Sequence, residues 1–219
     1  MRTAEVLQHG KPFLRSLYTA AYSVPNQKDR VVLSDATRGD FAFWADLLLS
    51  WTGVSLVMHK SWEAIPDLEL STDAAGSLGL GIVYGSHWVS LMWPDIPHRP
   101  QNIAVLELIP IILSAALWGH MWARKKVLVH TDNMSVVHAI NSWMPKHLHL
   151  VSLLKRLAKC AILNDFHFRA VHIPGKLNVD ADLLSRNDIA GFRARNPSCD
   201  AAPTSVPHQL LMDCLFPTS

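Results

Sequence analysis

The sequence of 219 residues contains little cysteine and little charge. Its three cysteines, Cys160, Cys199 and Cys214, lie far apart and form no CxxC pair, which argues against a zinc knuckle and against a disulfide framework. The first residues, MRTAEVLQHGKPFLR, lack the apolar stretch of a signal peptide. An odd number of cysteines without such a signal favours a reducing compartment, so we expect an intracellular protein, in either the nucleus or the cytoplasm.

Charged residues make up only 17% of the sequence, and the net charge of +2 does not indicate a partner. The charge is nevertheless uneven. Between Met121 and Arg195 there are 12 Lys or Arg against 5 Asp or Glu, a local balance of +7. A basic half of this kind is compatible with a bound polyanion, and equally with a solvated basic surface.

One strongly apolar segment, Ile103 to Ala123, requires a comparison with membrane spans. Glu107 and Pro110 interrupt it, and the uncharged run after Glu107 is shorter than the roughly 18 residues that a span needs. We therefore expect a buried helix of a soluble protein, and no membrane partner. The helix is expected to begin near Val105 to Glu107, because proline is tolerated in a first turn, where backbone N–H groups have no helical partner.

Residues 1–66 predict a helical segment. Ser34 is a suitable N-cap, and Asp35 in the first turn is favoured by the helix dipole. Large apolar residues then recur at the i, i+3, i+4 spacing of an amphipathic helix, at Phe41, Trp44, Leu47, Leu48 and Trp51.

From Leu68 the pattern predicts strands and helices in the order β-β-β-α-β-α-α-β-α. LELSTDAA, GLGIVY and HWVSLMW have the character of strands, and Gly85-Ser86 is a good hairpin turn between the last two. Three meandering strands followed by alternating helices and strands predict an α/β fold. We expect a mixed sheet of three antiparallel strands and then parallel strands, with helices on its faces.

The C-terminal part has a different composition. Residues 190–207 are rich in Ala, Pro, Ser and Arg and show no periodicity, which is typical of a linker. The sequence therefore predicts three parts: a helical segment over 1–66, a mixed-sheet domain over 67–188 and a linker-like tail over 189–219.

Four carboxylates stand at notable positions in this order of elements. Asp73 lies in an apolar strand beside small residues, Glu107 opens the most apolar helix, Asp132 ends the KVLVHTD strand, and Asp182 lies on the last short helix. Each position has an ordinary explanation as well. These are a turn residue, a helix-dipole contact, a helix cap, and an i,i+4 ion pair between Asp182 and Arg186.

Taken together, the four carboxylates predict a metal site. In this fold they could converge at one end of the sheet, and carboxylate oxygens are the ligands that Mg²⁺ or Mn²⁺ prefers. Two such ions about 3.5–4 Å apart can activate an attacking water and stabilise the leaving oxygen of a phosphodiester.

Four segments, STDAAGSLGLGIVY, LELIPIILSAAL, VLVHTDNMSVVHAI and VHIPGKLNVDADLLSR, resemble the motifs of the ribonuclease H domain of retroelement reverse transcriptases. The match covers Leu68 to Arg186. The resemblance implies that two metal ions are bound, with Asp73 touching both. It implies that Glu107 and Asp132 hold the ion nearer the leaving group, with Glu107 also near the RNA 2′-hydroxyl, and that Asp182 holds the ion that activates water.

The resemblance also indicates which of two neighbouring carboxylates is the metal ligand, and it predicts a histidine in the site. In this family the last motif commonly ends in AD-x-LSR, which ADLLSR matches here. The match favours Asp182 over Asp180 as the fourth ligand and leaves Asp180 near the helix start as a cap. His172, at the end of the last strand, matches a histidine thought to assist proton transfer or product release. Histidine suits that role because its unperturbed pKa lies near 6.5. Plain packing of His172 at a strand end is the alternative.

Upstream, GKPFLRSLYTAA and VVLSDATRGDFAFWADLLLSWTGVS resemble the thumb and connection stretch of DIRS-like retrotransposons, the group that uses a tyrosine recombinase. The paired aspartates of the polymerase are absent, so we expect no polymerase activity. The resemblance implies a piece of a larger polyprotein whose partner is a reverse transcriptase polymerase domain.

Four residues are candidate contacts to nucleic acid. Lys146 and Lys155 belong to a group of basic residues that could meet phosphates, although a solvated helix face explains them equally well. Asn133 could bond a sugar or phosphate, or cap a helix. Lys176 lies in the PGK stretch of the last motif.

The expected function is metal-dependent endonucleolytic cleavage of the RNA strand of RNA/DNA hybrids, recognised mainly by shape and 2′-hydroxyl contacts. One alternative is a catalytically silent or domesticated relic that binds nucleic acid. Another is a different enzyme on the same fold, such as a transposase or exonuclease core.

Overall fold

In a computed structural model of the chain, residues 8–26, 28–50, 66–95, 99–145, 147 and 149–216 are described. The predicted fold class is confirmed: one mixed five-stranded sheet carries helices on both faces and is preceded by a helical segment. The strands are β1 (Leu68–Ala74), β2 (Gly79–Tyr84), β3 (His87–Met92), β4 (Lys126–Thr131) and β5 (His167–His172). They lie in the order β3-β2-β1-β4-β5, and β1-β2 and β2-β3 are antiparallel while β1-β4 and β4-β5 are parallel.

Eight α-helices are described in these residues, and their order confirms the prediction. They are α1 (Arg15–Ala21), α2 (Asp35–Ser50), α3 (Ile103–Trp118), α4 (Met134–Ser142), α5 (His149–Leu163), α6 (Val179–Ser185), α7 (Ile189–Arg195) and α8 (His208–Leu215). Short 3-10 helices cover Gln8–Leu14, Gly119–Met121 and Gly175–Leu177.

The sheet has a helix layer on each face. Ile82 of β2 points into the main core, which it shares with α3 residues such as Leu108. Its neighbour Gly81 points to the opposite face, because successive strand residues alternate, and there it lies against α6. The carboxyl ends of β1, β4 and β5 share one edge of the sheet, since these strands are parallel. That edge is where the predicted site residues Asp73, Asp132 and His172 stand.

Gly81 lets α6 lie directly on the sheet. A Cβ at this position would meet the backbone carbonyl of Ala181 and would stand 2.7 Å from the backbone nitrogen of Ser185. Gly81 is also the register partner of Asp73 on β1. The close approach therefore sets the distance between α6 and the strand that carries Asp73.

We expect Gly81→Ala to destabilise the protein by about 1–3 kcal/mol, because backbone atoms of α6 would have to move. Gly39→Ala is the control, since a Cβ at Gly39 in α2 meets nothing within 4 Å. That change should stabilise the helix by about 0.5–1 kcal/mol. Urea unfolding of both variants measures the difference, and a Gly81→Ala protein as stable as the wild type would contradict it.

Helix α3 begins earlier than the sequence predicted. It starts at Ile103 and is capped by Asn102, whose side chain accepts a hydrogen bond from the backbone N–H of Ala104. The expected start near Val105 to Glu107 is therefore wrong, and Pro110 lies inside the helix. By length and composition alone, the helical stretch Ile103–Met121 could cross a membrane. In the folded chain, however, 78% of the most apolar 18 residues of this stretch is buried.

The N-terminal segment packs on the sheet domain through α5. Trp44 of α2 is buried and donates its indole N–H to the carbonyl of Phe13 at 3.3 Å. The Ser34 cap is confirmed, since its hydroxyl accepts the N–H of Thr37. Among the apolar residues expected on one face of α2, Phe41 is half exposed, and Trp51 lies outside the described residues.

The expected linker-like tail is wrong for the described part of residues 189–219. Phe192 of α7 is fully buried against Trp88 of β3, and the carbonyl of Asp200 accepts the Trp88 indole N–H at 2.8 Å. Further along, α8 places Leu211 and Cys214 in the main core. This packing is not visible in the sequence, because the apolar residues are too few and too unevenly spaced to show a period. The boundaries of the three predicted parts stay a prediction.

Candidate active site

Three carboxylates from separate elements meet at the carboxyl edge of the sheet. Asp73 comes from β1, Glu107 from the second turn of α3, and Asp132 from the residue directly after β4. One oxygen of each lies within 4.8 Å of an oxygen of the other two. The structure therefore brings together three of the four predicted ligands, although they are far apart in sequence.

Asp73 is buried between β1 and α6. Its Oδ2 accepts a hydrogen bond of 2.5 Å from the hydroxyl of Ser185, which is itself fully buried. Burial raises the pKa of Asp73, and the charges of Asp132 and Asp182 raise it further. The bond from Ser185 and the charge of Arg186 act in the opposite direction. Sequence reasoning overlooked Ser185, although a serine on the buried side of a short helix, next to Leu184, was a usable signal.

Glu107 has the most strongly shifted pKa of the three carboxylates. Its side chain is only 3% exposed, and its Oε2 has no hydrogen-bond partner among the described residues. Burial, followed by the charges of Asp73 and Asp132, raises its pKa to about 9, against a hydrogen bond from the backbone N–H of Ala74. A buried carboxylate with an unpaired oxygen and two acidic neighbours is strongly destabilised unless a proton or a cation joins it.

Asp132 and His172 lie side by side on the exposed rim. His172 is paired in register with Thr131, and its Nε2 is 3.1 Å from the backbone carbonyl of Asp132. Because a carbonyl only accepts, Nε2 donates this bond and Nδ1 stays available for a proton. Gly175 approaches from the next loop: a Cβ there would stand 2.8 Å from Asp132 Oδ2.

Asp182 stands apart from the group of three. Its Oδ1 accepts a 2.7 Å hydrogen bond from Arg186 Nε, so the i,i+4 ion pair that the sequence left as an alternative is present. Its charge nevertheless acts on Asp73, whereas Asp180 is not among the charges that shift the pKa of Asp73. Asp180 is instead paired with Arg195 at 2.8 Å. Of these two carboxylates, Asp182 is the one electrostatically coupled to Asp73.

The predicted nucleic-acid contacts have different surroundings. Asn133 caps α4, because its Oδ1 accepts the backbone N–H groups of Ser135 and Val136. Lys155 does not fit a phosphate contact: it donates to the buried Asp40 at 2.5 Å and lies over the ring of Phe13.

Of the two remaining lysines predicted to contact nucleic acid, only Lys176 belongs to the described residues. Lys176 is exposed in Gly175–Leu177, the segment beside Asp132. Lys146 lies outside the described residues. Lys176 is therefore the predicted lysine that the structure leaves open to solvent near the carboxylates.

The donor set fits a hard divalent cation. All the converging ligand atoms are carboxylate oxygens, which suit Mg²⁺ or Mn²⁺ better than softer metals. The unpaired Oε2 of Glu107 gives an independent reason for a cation at this place. Among the described residues, no other group of three or more potential ligand side chains has this spacing.

No family model matches the sequence, and no curated protein matches it. Among solved structures, the chain is similar to LC11-RNase H1 isolated from compost, with 21% identity, a TM-score of 0.45, and coverage of 58% of this chain and 98% of that one. The same protein in complex with an RNA/DNA hybrid gives 20% identity, 54% and 93% coverage and a TM-score of 0.45. The N-terminal RNase H domain of a Mycobacterium tuberculosis protein is 16% identical, with a TM-score of 0.41 and coverage of 54% of this chain and 97% of that one. Because these similarities are low, what the site can do chemically is inferred from the carboxylates of this chain alone.

Proposed function

We propose that this chain is a metal-dependent endonuclease that hydrolyses the RNA strand of RNA/DNA hybrids. The observation that carries the proposal is the convergence of Asp73, Glu107 and Asp132 within 4.8 Å, with one oxygen of Glu107 buried and unpartnered. A set of acids of this kind is costly for the fold unless cations bind to it. Their order along the chain also agrees with the ribonuclease H motifs of retroelement reverse transcriptases.

Asp73, Glu107 and Asp132 would together hold one divalent ion, and Asp182 would join Asp73 in holding a second. Divalent ions bound there would activate a water molecule and stabilise the leaving oxygen of the phosphodiester. Ser185 orients Asp73 by holding its Oδ2. His172 donates through Nε2 to the backbone carbonyl of Asp132, and in this tautomer Nδ1 is the nitrogen of the ring that can accept a proton.

The proposed substrate follows from the motifs and from the rim of the site. A ribonuclease H-type enzyme reads a hybrid by its shape and by 2′-hydroxyl contacts. Lys176 is exposed beside the carboxylates and is suited to a phosphate of the hybrid. The segments that resemble DIRS-like elements support the further proposal that the chain is the ribonuclease H part of a retroelement reverse transcriptase, with a polymerase domain as its partner.

The direct test is incubation of the purified chain with a labelled RNA/DNA hybrid, with Mg²⁺ and with a chelator. We expect cuts within the RNA strand that need Mg²⁺ or Mn²⁺, and no cuts in the DNA strand or in an RNA/RNA duplex. Absence of metal-dependent cutting by the wild type would refute the proposed nuclease activity. It would favour a catalytically silent relic that binds hybrids, and a binding assay with the same hybrid would reveal such binding.

A matched pair of variants tests the choice of Asp182. We expect Asp182→Asn to lower the cleavage rate by roughly 10–100-fold, because the charge of Asp182 acts on the carboxylate site. Asp180→Asn should change it by less than about twofold, because Asp180 belongs to a surface ion pair with Arg195 and is not among the charges that act on Asp73. The two acids lie on the same helix, and each is paired with an arginine. A larger loss for Asp180→Asn would assign the fourth ligand to Asp180.

A further inference from the structure

Arg186 is a cation that is bonded directly to one of the four predicted metal ligands. It follows the last residue of α6, its Nε donates to Asp182 Oδ1 at 2.7 Å, and its side chain is 58% exposed. Its charge also acts on Asp73, and among the described residues it is the one cation that shifts the pKa of Asp73. The guanidinium is therefore bonded to one proposed metal ligand, Asp182, and its charge acts on a second, Asp73.

Charge balance explains why a cation of the protein belongs at this place. Asp73, Glu107, Asp132 and Asp182 would repel one another if all were ionised with no metal ion bound. A guanidinium on Asp182 offsets part of this repulsion. Asp182 is not one of the three carboxylates that lie within 4.8 Å of one another, and it is the acid of the four that the guanidinium holds.

We propose that Arg186 is a built-in counter-cation of the site: it holds Asp182 while no metal ion is bound there, and it is displaced from Asp182 when the second divalent ion binds. This inference rests on the proposed function, since it assumes that Asp182 is a metal ligand. It makes Arg186 a positioning residue that sets the affinity of the second ion.

The neighbouring pair Arg195 and Asp180 provides a matched control. Its Nε–Oδ1 distance is 2.8 Å, and its arginine is 53% exposed, close to the values for Arg186. Asp180 lies on the same helix as Asp182 but is not among the charges that act on Asp73. Removing Arg195 therefore removes a similar surface ion pair without touching the carboxylate site.

The experiment titrates the metal-free protein with Mn²⁺ in a calorimeter, without nucleic acid. We expect two ions to bind to the wild type, and Arg186→Ala and Arg186→Gln to bind the weaker ion roughly three- to tenfold more tightly, because a positive charge no longer opposes it. Arg186→Lys and Arg195→Ala should resemble the wild type. Loss of a merely structural contact would weaken metal binding and would not tighten it.

The outcomes separate the inference from the proposed function. Unchanged or weaker binding of the second ion in both Arg186→Ala and Arg186→Gln would overturn the counter-cation role. An equal gain in Arg195→Ala would overturn it too, since the effect would then be general surface charge. A wild type that binds no divalent ion would instead refute the metal site itself. Thermal unfolding of each variant confirms that the proteins compared are folded.

Discussion

Asp73→Asn should abolish Mg²⁺-dependent cleavage of the RNA strand of a hybrid, with a fall in kcat/KM of more than about a hundredfold. Loss of a residue that only orients a metal ligand typically costs 10–100-fold, and Asp73 is proposed to be the central ligand itself. The carboxylate is buried at the meeting point of β1, α3 and β4. An amide of the same shape keeps an oxygen for the Ser185 hydroxyl but removes the charge that would bind a cation.

The control for this variant is Glu69→Gln. Glu69 lies four residues earlier on the same face of β1, is 64% exposed and contacts His130 at 3.3 Å. Its neutralisation should leave cleavage unchanged. Because burial already disfavours the charge of Asp73, Asp73→Asn should stay folded, and unfolding by urea should verify this. Equal cleavage by Asp73→Asn and the wild type would refute the site.

Glu107→Gln should stabilise the metal-free protein at neutral and alkaline pH. The folded protein raises the pKa of Glu107 from 4.5 to about 9, so the folded state keeps a proton that the unfolded state has lost. The stability of the wild type is therefore complete below pH 4.5 and falls as the pH rises towards 9, by about 1.4 kcal/mol per pH unit from this group. Glutamine has no such proton, and the variant lacks this slope.

The measurement is the free energy of unfolding of both proteins in a chelator, at several pH values from 4.5 to 9. Other titrating groups, such as the buried His9 with its lowered pKa, are common to both proteins and cancel in the difference. Parallel pH profiles would contradict the raised pKa. With Mg²⁺ present, the order should reverse, since the wild type then gains stability from bound metal and the variant gains less.

Much of the fold was predictable from local patterns. Alternation in LELSTDAA and GLGIVY, the Gly85-Ser86 turn and the helical spacing after Asp132 each reflect interactions between residues that are close in sequence. The order of elements followed, and with it the shared edge where Asp73 and Asp132 stand. The start of α3 was missed because two local signals compete there: Asn102 provides a cap, and this cap decides the boundary, whereas Pro110 is accommodated within the helix.

The packing of distant segments was not predictable from the sequence. Lys155 belongs to a basic stretch by composition, yet it is bound to Asp40, which is 115 residues away. Residues 190–207 have the composition of a linker, yet Phe192 in this stretch is fully buried beside Trp88. Such contacts depend on which surfaces face each other after folding, and a period in the sequence does not record this.

The carboxylate site shows the same division. The sequence by itself determined which acids are available and in what order, because residue type and strand or helix position are local properties. Only the tertiary structure decided that Asp73, Glu107 and Asp132 meet, that one oxygen of Glu107 has no described partner, and that Asp182 is bonded to Arg186. The reason is physical: burial and Coulomb interaction depend on distances in space, and these distances exist only once β1, α3, β4 and α6 are packed together.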